Sequence, residues 1–161
     1  MNKSIQALSK KAGSLLNEKG LKLAVAESCT GGLLGAAITE IPGSSRYSKG
    51  GVISYADKAK IRVLGVPEKF LSNTGPGAVS AETVGAMARG ARKLLRADIA
   101  IAVSGVAGPE GGSKDKPVGL VYLGIAARGA VLTWECRFKG TRAAIREQSV
   151  AEGLRKLIEN L

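Results

Sequence analysis

One short run constrains this chain more than any other: after Asp98, the residues Ile99-Ala100-Ile101-Ala102-Val103 are apolar without a break. A strand with one wet face alternates polar and apolar side chains, so an unbroken run fits a central strand covered on both faces. Such a strand requires helices above and below the sheet. The rest of the chain supplies them. Ile5, Leu8, Ala12 and Leu15 recur at helical spacing before a closing Gly20. Val84, Met87, Ala88, Ala91 and Leu95 form a second apolar stripe, with Arg89, Arg92, Lys93 and Arg96 on its other face. Val150, Leu154, Leu157 and Leu161 form a third.

Between these helices the chain reads as strands and turns. Leu21 to Ala26 is a short strand, followed by Ser28-Cys29-Thr30-Gly31-Gly32 and a helix from Leu33 to Glu40. A Pro42 to Ser45 loop leads through Gly50-Gly51 to a strand Val52 to Tyr55 and a helix Lys58 to Leu64. Residues 66 to 79 read as an irregular connection. Gly119 to Ala127 and Ala130 to Phe138 form an antiparallel hairpin about Arg128-Gly129. Its second strand alternates Leu132, Trp134, Cys136 and Phe138 with Val131, Thr133, Glu135 and Arg137, which places it near a sheet edge. The expected architecture is a single α/β domain over residues 1–161, a three-layer α/β/α sandwich with a mixed, mostly parallel sheet.

Composition narrows the chemistry. The 161 residues are 45% hydrophobic, enough for one sizeable core, and the net charge of +11 implies an anionic partner. There is no histidine, which removes the usual general base, the usual zinc ligand and every Ser-His or Cys-His pairing. Two cysteines, Cys29 and Cys136, are too few for a disulfide framework, and a cytoplasmic location is the simplest expectation. No apolar run approaches the length of a membrane span, so no membrane partner is expected. The carboxylates Glu27, Asp57, Glu110 and Asp115 match no metal-loop spacing, and no metal or other cofactor is expected.

In an α/β sheet, ligands bind beyond the carboxyl ends of strands. Three polar or glycine-rich segments fall at such turns: Glu27 to Gly32, Pro42 to Gly51 and Ser104 to Gly119. A helix starting after Gly31-Gly32 would present its positive end to an anion there. Without histidine, a serine nucleophile needs another base, and a lysine serves when burial lowers its pKa. Ser45, Tyr55 and a lysine form one such set. Lys58 and Lys60 point about 200° apart around a helix, so one of them at most faces Tyr55, and spacing alone leaves the choice open. Cys29 is either an activated thiolate near a helix start or a small packing residue. Arg142 and Arg146, four apart on one helical face, are suited to clamp a phosphate.

Several segments in register carry a resemblance: Ala26-Glu27-Ser28-Cys29-Thr30-Gly31-Gly32, Gly50-Gly51-Val52-Ile53-Ser54-Tyr55, Gly77-Ala78-Val79-Ser80, Ser104-Gly105-Val106-Ala107-Gly108-Pro109 and Lys116-Pro117-Val118-Gly119. Together they closely resemble the C-terminal domain family of competence/damage-inducible protein A (CinA), from about residue 5 to 160. That family includes nicotinamide-nucleotide amidohydrolases. The resemblance implies deamidation of nicotinamide mononucleotide to nicotinic acid mononucleotide and ammonia, in pyridine nucleotide salvage. It also looks like a stand-alone version, without the larger N-terminal domain of some relatives.

By the resemblance, the catalytic serine, tyrosine and lysine fall on Ser45, Tyr55 and Lys60, the last in preference to Lys58. The substrate pocket falls on Ser28, Thr30, Gly31, Gly32, Gly43, Ser104, Gly105 and Arg142. The expected partner is a small pyridine nucleotide, and a homo-oligomer is expected. Two positions depart from the family pattern: Asp57, where relatives often carry asparagine, and Thr141, where relatives often carry aspartate before the arginine. Asp57 is placed to pair with Lys60 and raise its pKa. The rival reading is a non-catalytic module binding nucleotides or nucleic acid. With 4% aromatic residues and dispersed basic ones, nucleic acid is the weaker expectation.

Overall fold

Asn2 starts the first helix: its side chain accepts the Ser4 backbone N–H at 2.9 Å, as an N-cap should. In the computed structural model, which describes residues 2–161, five helices of a turn or more flank one sheet, and Met1 of the expected 1–161 domain lies outside the described residues. The order is α1 (Lys3–Glu18), β1 (Leu23–Glu27), α2 (Leu33–Thr39), β2 (Ser48–Ile53), α3 (Asp57–Leu64), α4 (Ala81–Leu94), β3 (Ile99–Gly105), β4 (Leu120–Ala127), β5 (Ala130–Arg137) and α5 (Arg142–Glu159). Short 3-10 turns occupy Ser44–Arg46 and Glu68–Phe70.

The sheet runs β2-β1-β3-β4-β5. β1 pairs in parallel with β2 and β3, and the β3–β4 and β4–β5 pairings are antiparallel. Four strands therefore point one way and β4 alone points back. The apolar run at Ile99–Val103 is the central strand and is buried throughout, because its two faces belong to two cores. Ile99, Ile101 and Val103 pack under α1, α2 and α5, together with Leu16, Ile38, Leu123 and Leu154. Ala100 and Ala102 face α4, where Val84, Met87, Ala88 and Ala91 cover them. Alanines on that face let a helix lie close to the strands. β5 lies at one edge, as its alternation implies, with Trp134, Cys136 and Phe138 turned inward.

The other edge corrects the sequence reading. β2 spans Ser48 to Ile53, where Val52 to Tyr55 was expected, so Tyr55 lies beyond the strand. Gly50-Gly51 read as a turn but is strand, and the physical cause is crowding against β1. A side chain on Gly51 would collide with Val25, its partner in the ladder. Gly50 takes φ +108 where the pairing skips a residue, a bulge that glycine alone accommodates well.

Candidate active site

The strand ends at Glu27, Ile53 and Gly105 place three loops side by side, as the parallel arrangement requires. The first loop is organised by Glu27, a carboxylate only 1% exposed. It accepts the Thr30 hydroxyl at 2.6 Å and the backbone N–H groups of Gly32, Leu34 and Gly35 at 3.0, 3.0 and 2.7 Å. These are the orphan donors of the α2 N-terminus, so the anion expected there from solution is already present as a side chain. Gly32 sits at φ +98 to allow the turn. The Thr30 hydroxyl and the Gly32 N–H are consumed within the protein.

Lys60 follows from the next loop. It is 1% exposed, while Lys58 on the opposite side of α3 is exposed. Its Nζ donates to the carbonyls of Ser54 at 2.9 Å and Tyr55 at 3.0 Å. Ser54 is itself fixed, because its N–H donates to the Glu27 carbonyl at 2.8 Å. Asp57 lies 3.5 Å from the same Nζ, as its spacing suggested. Burial nevertheless outweighs that carboxylate and holds Lys60 below the usual lysine range. The two carbonyls and the Asp57 carboxylate offer three acceptors to the three donors of the charged amine; in the neutral amine the two carbonyls would satisfy both remaining donors and leave the lone pair available.

Arg142, in the first turn of α5, bridges the remaining loops. It donates to the Gly108 carbonyl at 2.7 Å and to the Tyr55 hydroxyl at 2.9 Å. Arg146, one turn on, donates to the Thr30 carbonyl at 2.6 Å. Both guanidiniums keep further donors free for a phosphate. The Thr141 departure is benign for folding, since its hydroxyl caps α5 by accepting the Ala144 N–H at 3.3 Å, a role aspartate also fills. Ser104 donates to the Ala78 carbonyl at 2.7 Å and ties in the 66–79 connection. Gly105 is crowded by Val121 and the Leu120 carbonyl, so close packing explains its missing side chain. Cys29 is the packing residue of its two readings: burial pushes its thiol up to about 11, far from a thiolate at neutral pH.

Tyr55, Lys60, Arg142, Ser28, Thr30, Gly31, Gly32, Ser104 and Gly105 thus share one end of the sheet. Ser45 and Gly43 do not. They precede β2, beside the start of β1, where the Leu23 N–H donates to the Tyr47 carbonyl and Lys22 Nζ reaches the Arg46 carbonyl. Six residues of β2 separate the two groups, on the order of 20 Å at about 3.3 Å per residue. Ser45 is exposed. The sequence order suggested a shared loop region because β2 was read too short. Ser54 was missed altogether, having no signal beyond its place before Tyr55.

Cavities divide in the same way. A groove of about 200 Å³ follows β2 between Ser48 and Ile53, bounded by α2 and Glu27. A larger cavity, about 820 Å³, lies elsewhere, between α4 and the β4–β5 hairpin, lined by Arg89, Arg92, Lys93 and Arg96. None of the residues named above reaches it. Among the described residues, no three Cys, Asp or Glu side chains gather as a metal cage would need, and no helix is long and apolar enough to cross a membrane.

A three-layer α/β domain with polar loops gathered at the carboxyl ends of its parallel strands defines a class that binds small ligands there. Within that class, residues 5–161 match the CinA C-terminal domain family, and the chain belongs to it. It is 52% identical over 140 residues to a CinA-like protein of Geobacter sulfurreducens, covering 87% of this chain and 33% of that protein. The chain spans about a third of the length of such curated relatives. The crystal structure of a competence/damage inducible protein from Agrobacterium tumefaciens superposes with a TM-score of 0.93 at 44% identity, covering 97% of this chain and 94% of that one. A CinA superfamily protein from Escherichia coli gives 0.93 at 30% identity, covering 100% and 93%.

Proposed function

We propose that this domain hydrolyses the carboxamide of nicotinamide mononucleotide, releasing ammonia and nicotinic acid mononucleotide, with Ser45 as nucleophile and Lys60 as base. The observation that carries the reading is Lys60: a lysine buried at the ligand end of the sheet, with its pKa lowered and both donors of its neutral form satisfied. A chain without histidine has few other bases for amide hydrolysis.

In this reading the Lys60 lone pair takes the Ser45 hydroxyl proton as Oγ attacks the carboxamide carbon, a step that requires the two groups to be brought together from the opposite ends of β2. Backbone N–H groups hold the resulting oxyanion. The proton passes from the lysine to the departing nitrogen, the C–N bond breaks, and ammonia leaves a nicotinoyl ester on Ser45. Water, deprotonated by the same amine, adds to that ester and returns the proton to Ser45 as nicotinic acid mononucleotide departs. Tyr55, its hydroxyl held by Arg142, positions the proton path. The free donors of Arg142 and Arg146 suit the substrate phosphate.

The test is ammonia release from nicotinamide mononucleotide by the purified protein beside Ser45→Ala and Lys60→Ala. Loss in both folded variants supports the assignment, and full activity in either overturns it. A second reading, an anion-binding module without catalysis, has the basic cavity on α4 in its favour. Steeply salt-dependent DNA binding by the wild type, abolished in Arg89→Ala/Lys93→Ala, would support that alternative.

A further inference from the structure

The cavity of about 820 Å³ beside α4 takes no part in the amidase reading, and its charges are unanswered. Arg89, Arg92 and Lys93 stand at helical spacing on one face of α4, and Arg96 lines the same cavity just past the helix end. Among the described residues none of the four enters an ion pair, and no acid lines the cavity. Asp98 borders the adjoining cavity, where its carboxylate accepts the Lys22 N–H at 2.8 Å. The place is remote from Lys60: Ala126, in the cavity wall, pairs with Ala100 near the start of β3, at the amino end of the parallel strands. We propose that this cavity is a second ligand site, which takes a chain of two or more phosphates carried by a small molecule. The inference does not depend on the amidase reading.

The fold holds these cations in place. Arg92 is half-buried, and its Nε donates to the Asp98 carbonyl at 2.9 Å, which fixes the guanidinium and leaves its terminal nitrogens to donate elsewhere. Arg96 sits at φ +49, the one non-glycine residue with a positive φ among the described residues. It closes α4: its N–H donates to the Lys93 carbonyl at 3.3 Å, and the Ala97 N–H donates to the Arg92 carbonyl at 3.0 Å. Glycine is the usual residue at this closing position, because a side chain strains a left-handed backbone. Helix closure therefore has no need of the guanidinium that Arg96 brings to the cavity. Complementing the negative end of the helix accounts for Arg92 and Lys93 in the last turn, and leaves Arg89 and Arg96 without that reason. Opposite the cations, Ala126, Ala127, Gly129 and Ala130 form a wall of small residues that keeps the space open.

Charge density selects the ligand. From Arg89 to Arg96 the chain rises about 10 Å at roughly 1.5 Å per residue. An extended acidic peptide fits about three residues into that length and turns alternate side chains away, so it answers only part of the charge. A phosphate chain turns none of its charges away, and a planar guanidinium binds phosphate oxygens two at a time. Single-stranded nucleic acid fits less well, because no aromatic ring for a base lines this cavity or the two beside it that share Arg89, Arg92 or Lys93. The site is also a recess, whereas duplex readout uses a helix or ribbon that enters a groove. Its volume of about 820 Å³ suits a small molecule.

Calorimetric titration of the wild-type protein with inorganic tripolyphosphate at physiological ionic strength tests the site. One molecule should bind per chain, roughly tenfold or more tightly than orthophosphate, which meets fewer of the cations. Arg96→Gly removes one cation while suiting the backbone, so Tm should hold or rise while binding weakens about tenfold, the effect of one charged hydrogen bond. Arg89→Ala/Lys93→Ala should weaken binding about 100-fold, with two such bonds lost. A nucleoside triphosphate should bind no more tightly than tripolyphosphate, and binding tighter by roughly tenfold would overturn recognition through phosphates alone. Tripolyphosphate binding that survives both variants and falls in Arg142→Ala would move the anion to the other end of the sheet and overturn the site. Absence of saturable binding by the wild type overturns it too. So does duplex DNA that binds through Arg89 and Lys93 and is not displaced by tripolyphosphate, an outcome that assigns the face to nucleic acid.

Discussion

The two ends of β2 are built on opposite plans. At its carboxyl end the polar groups hold one another in place: Ser54 bonds Glu27, Lys60 bonds Ser54 and Tyr55, and Arg142 bonds Tyr55 and Gly108. At its amino end Ser45 stands exposed in a single 3-10 turn after Gly43. The difference teaches where each residue's constraint comes from. Burial fixes Lys60, the proposed base, and lowers its pKa, at a cost in folding that other contacts must offset. A serine on an exposed turn, the proposed nucleophile, costs the fold almost nothing. The same contrast separates Lys60 from the basic face of α4, whose charges remain in water.

The sharpest break in this comparison is Ser45→Ala. Ammonia release should fall on the order of 10⁶-fold, as nucleophile removal does, while melting is unchanged because the side chain is exposed. Lys60→Met, which keeps the buried volume, should lower kcat about 10³-fold, measured with the melting temperature alongside as the check on folding. Glu27→Gln should act on the fold first. An amide in place of a carboxylate accepting four hydrogen bonds turns donors against donors, which costs about 3 kcal/mol and lowers Tm by roughly 6–12 °C in calorimetry.

A subtler effect is expected at Asp57. Its carboxylate raises the Lys60 pKa against the larger lowering by burial. The base is active when neutral, so the rate rises with pH through that pKa. Removing the opposing charge in Asp57→Asn lowers the pKa further and should move the rising limb of the kcat profile to lower pH. A limb that moves upward contradicts the assignment of Lys60 as base. Least of all, Arg89→Ala/Lys93→Ala should leave kcat/KM for nicotinamide mononucleotide unchanged, which separates the basic cavity from the catalytic end.

Much of the fold was legible because it depends on local patterns with long-range meaning. The apolar run at Ile99–Val103 announces a buried strand, and the stripes through α1, α4 and α5 announce its covering helices. Edge strands announce themselves less. β2 is mostly exposed and holds two glycines, so its sequence resembles a loop, and only the collision a side chain would have with Val25 explains Gly51. The placement of the candidate residues was legible only in part. Lys60 and Tyr55 meet because a turn and a helix follow each other directly. That the Glu27 carboxylate fills the α2 N-terminus depends on a bend at Gly31-Gly32 which one-dimensional spacing does not reveal. The Ser45 separation depends on a strand length misread by four residues at its start.

The central claim is a covalent intermediate on Ser45. The most direct measurement quenches the wild-type protein in acid during turnover of nicotinamide mononucleotide and maps the modified peptide by mass spectrometry. The account expects a nicotinic acid mononucleotide acyl ester on Ser45, absent from Ser45→Ala. An ester on Ser28 instead, or ammonia released at the wild-type rate by a folded Ser45→Ala protein, would contradict it.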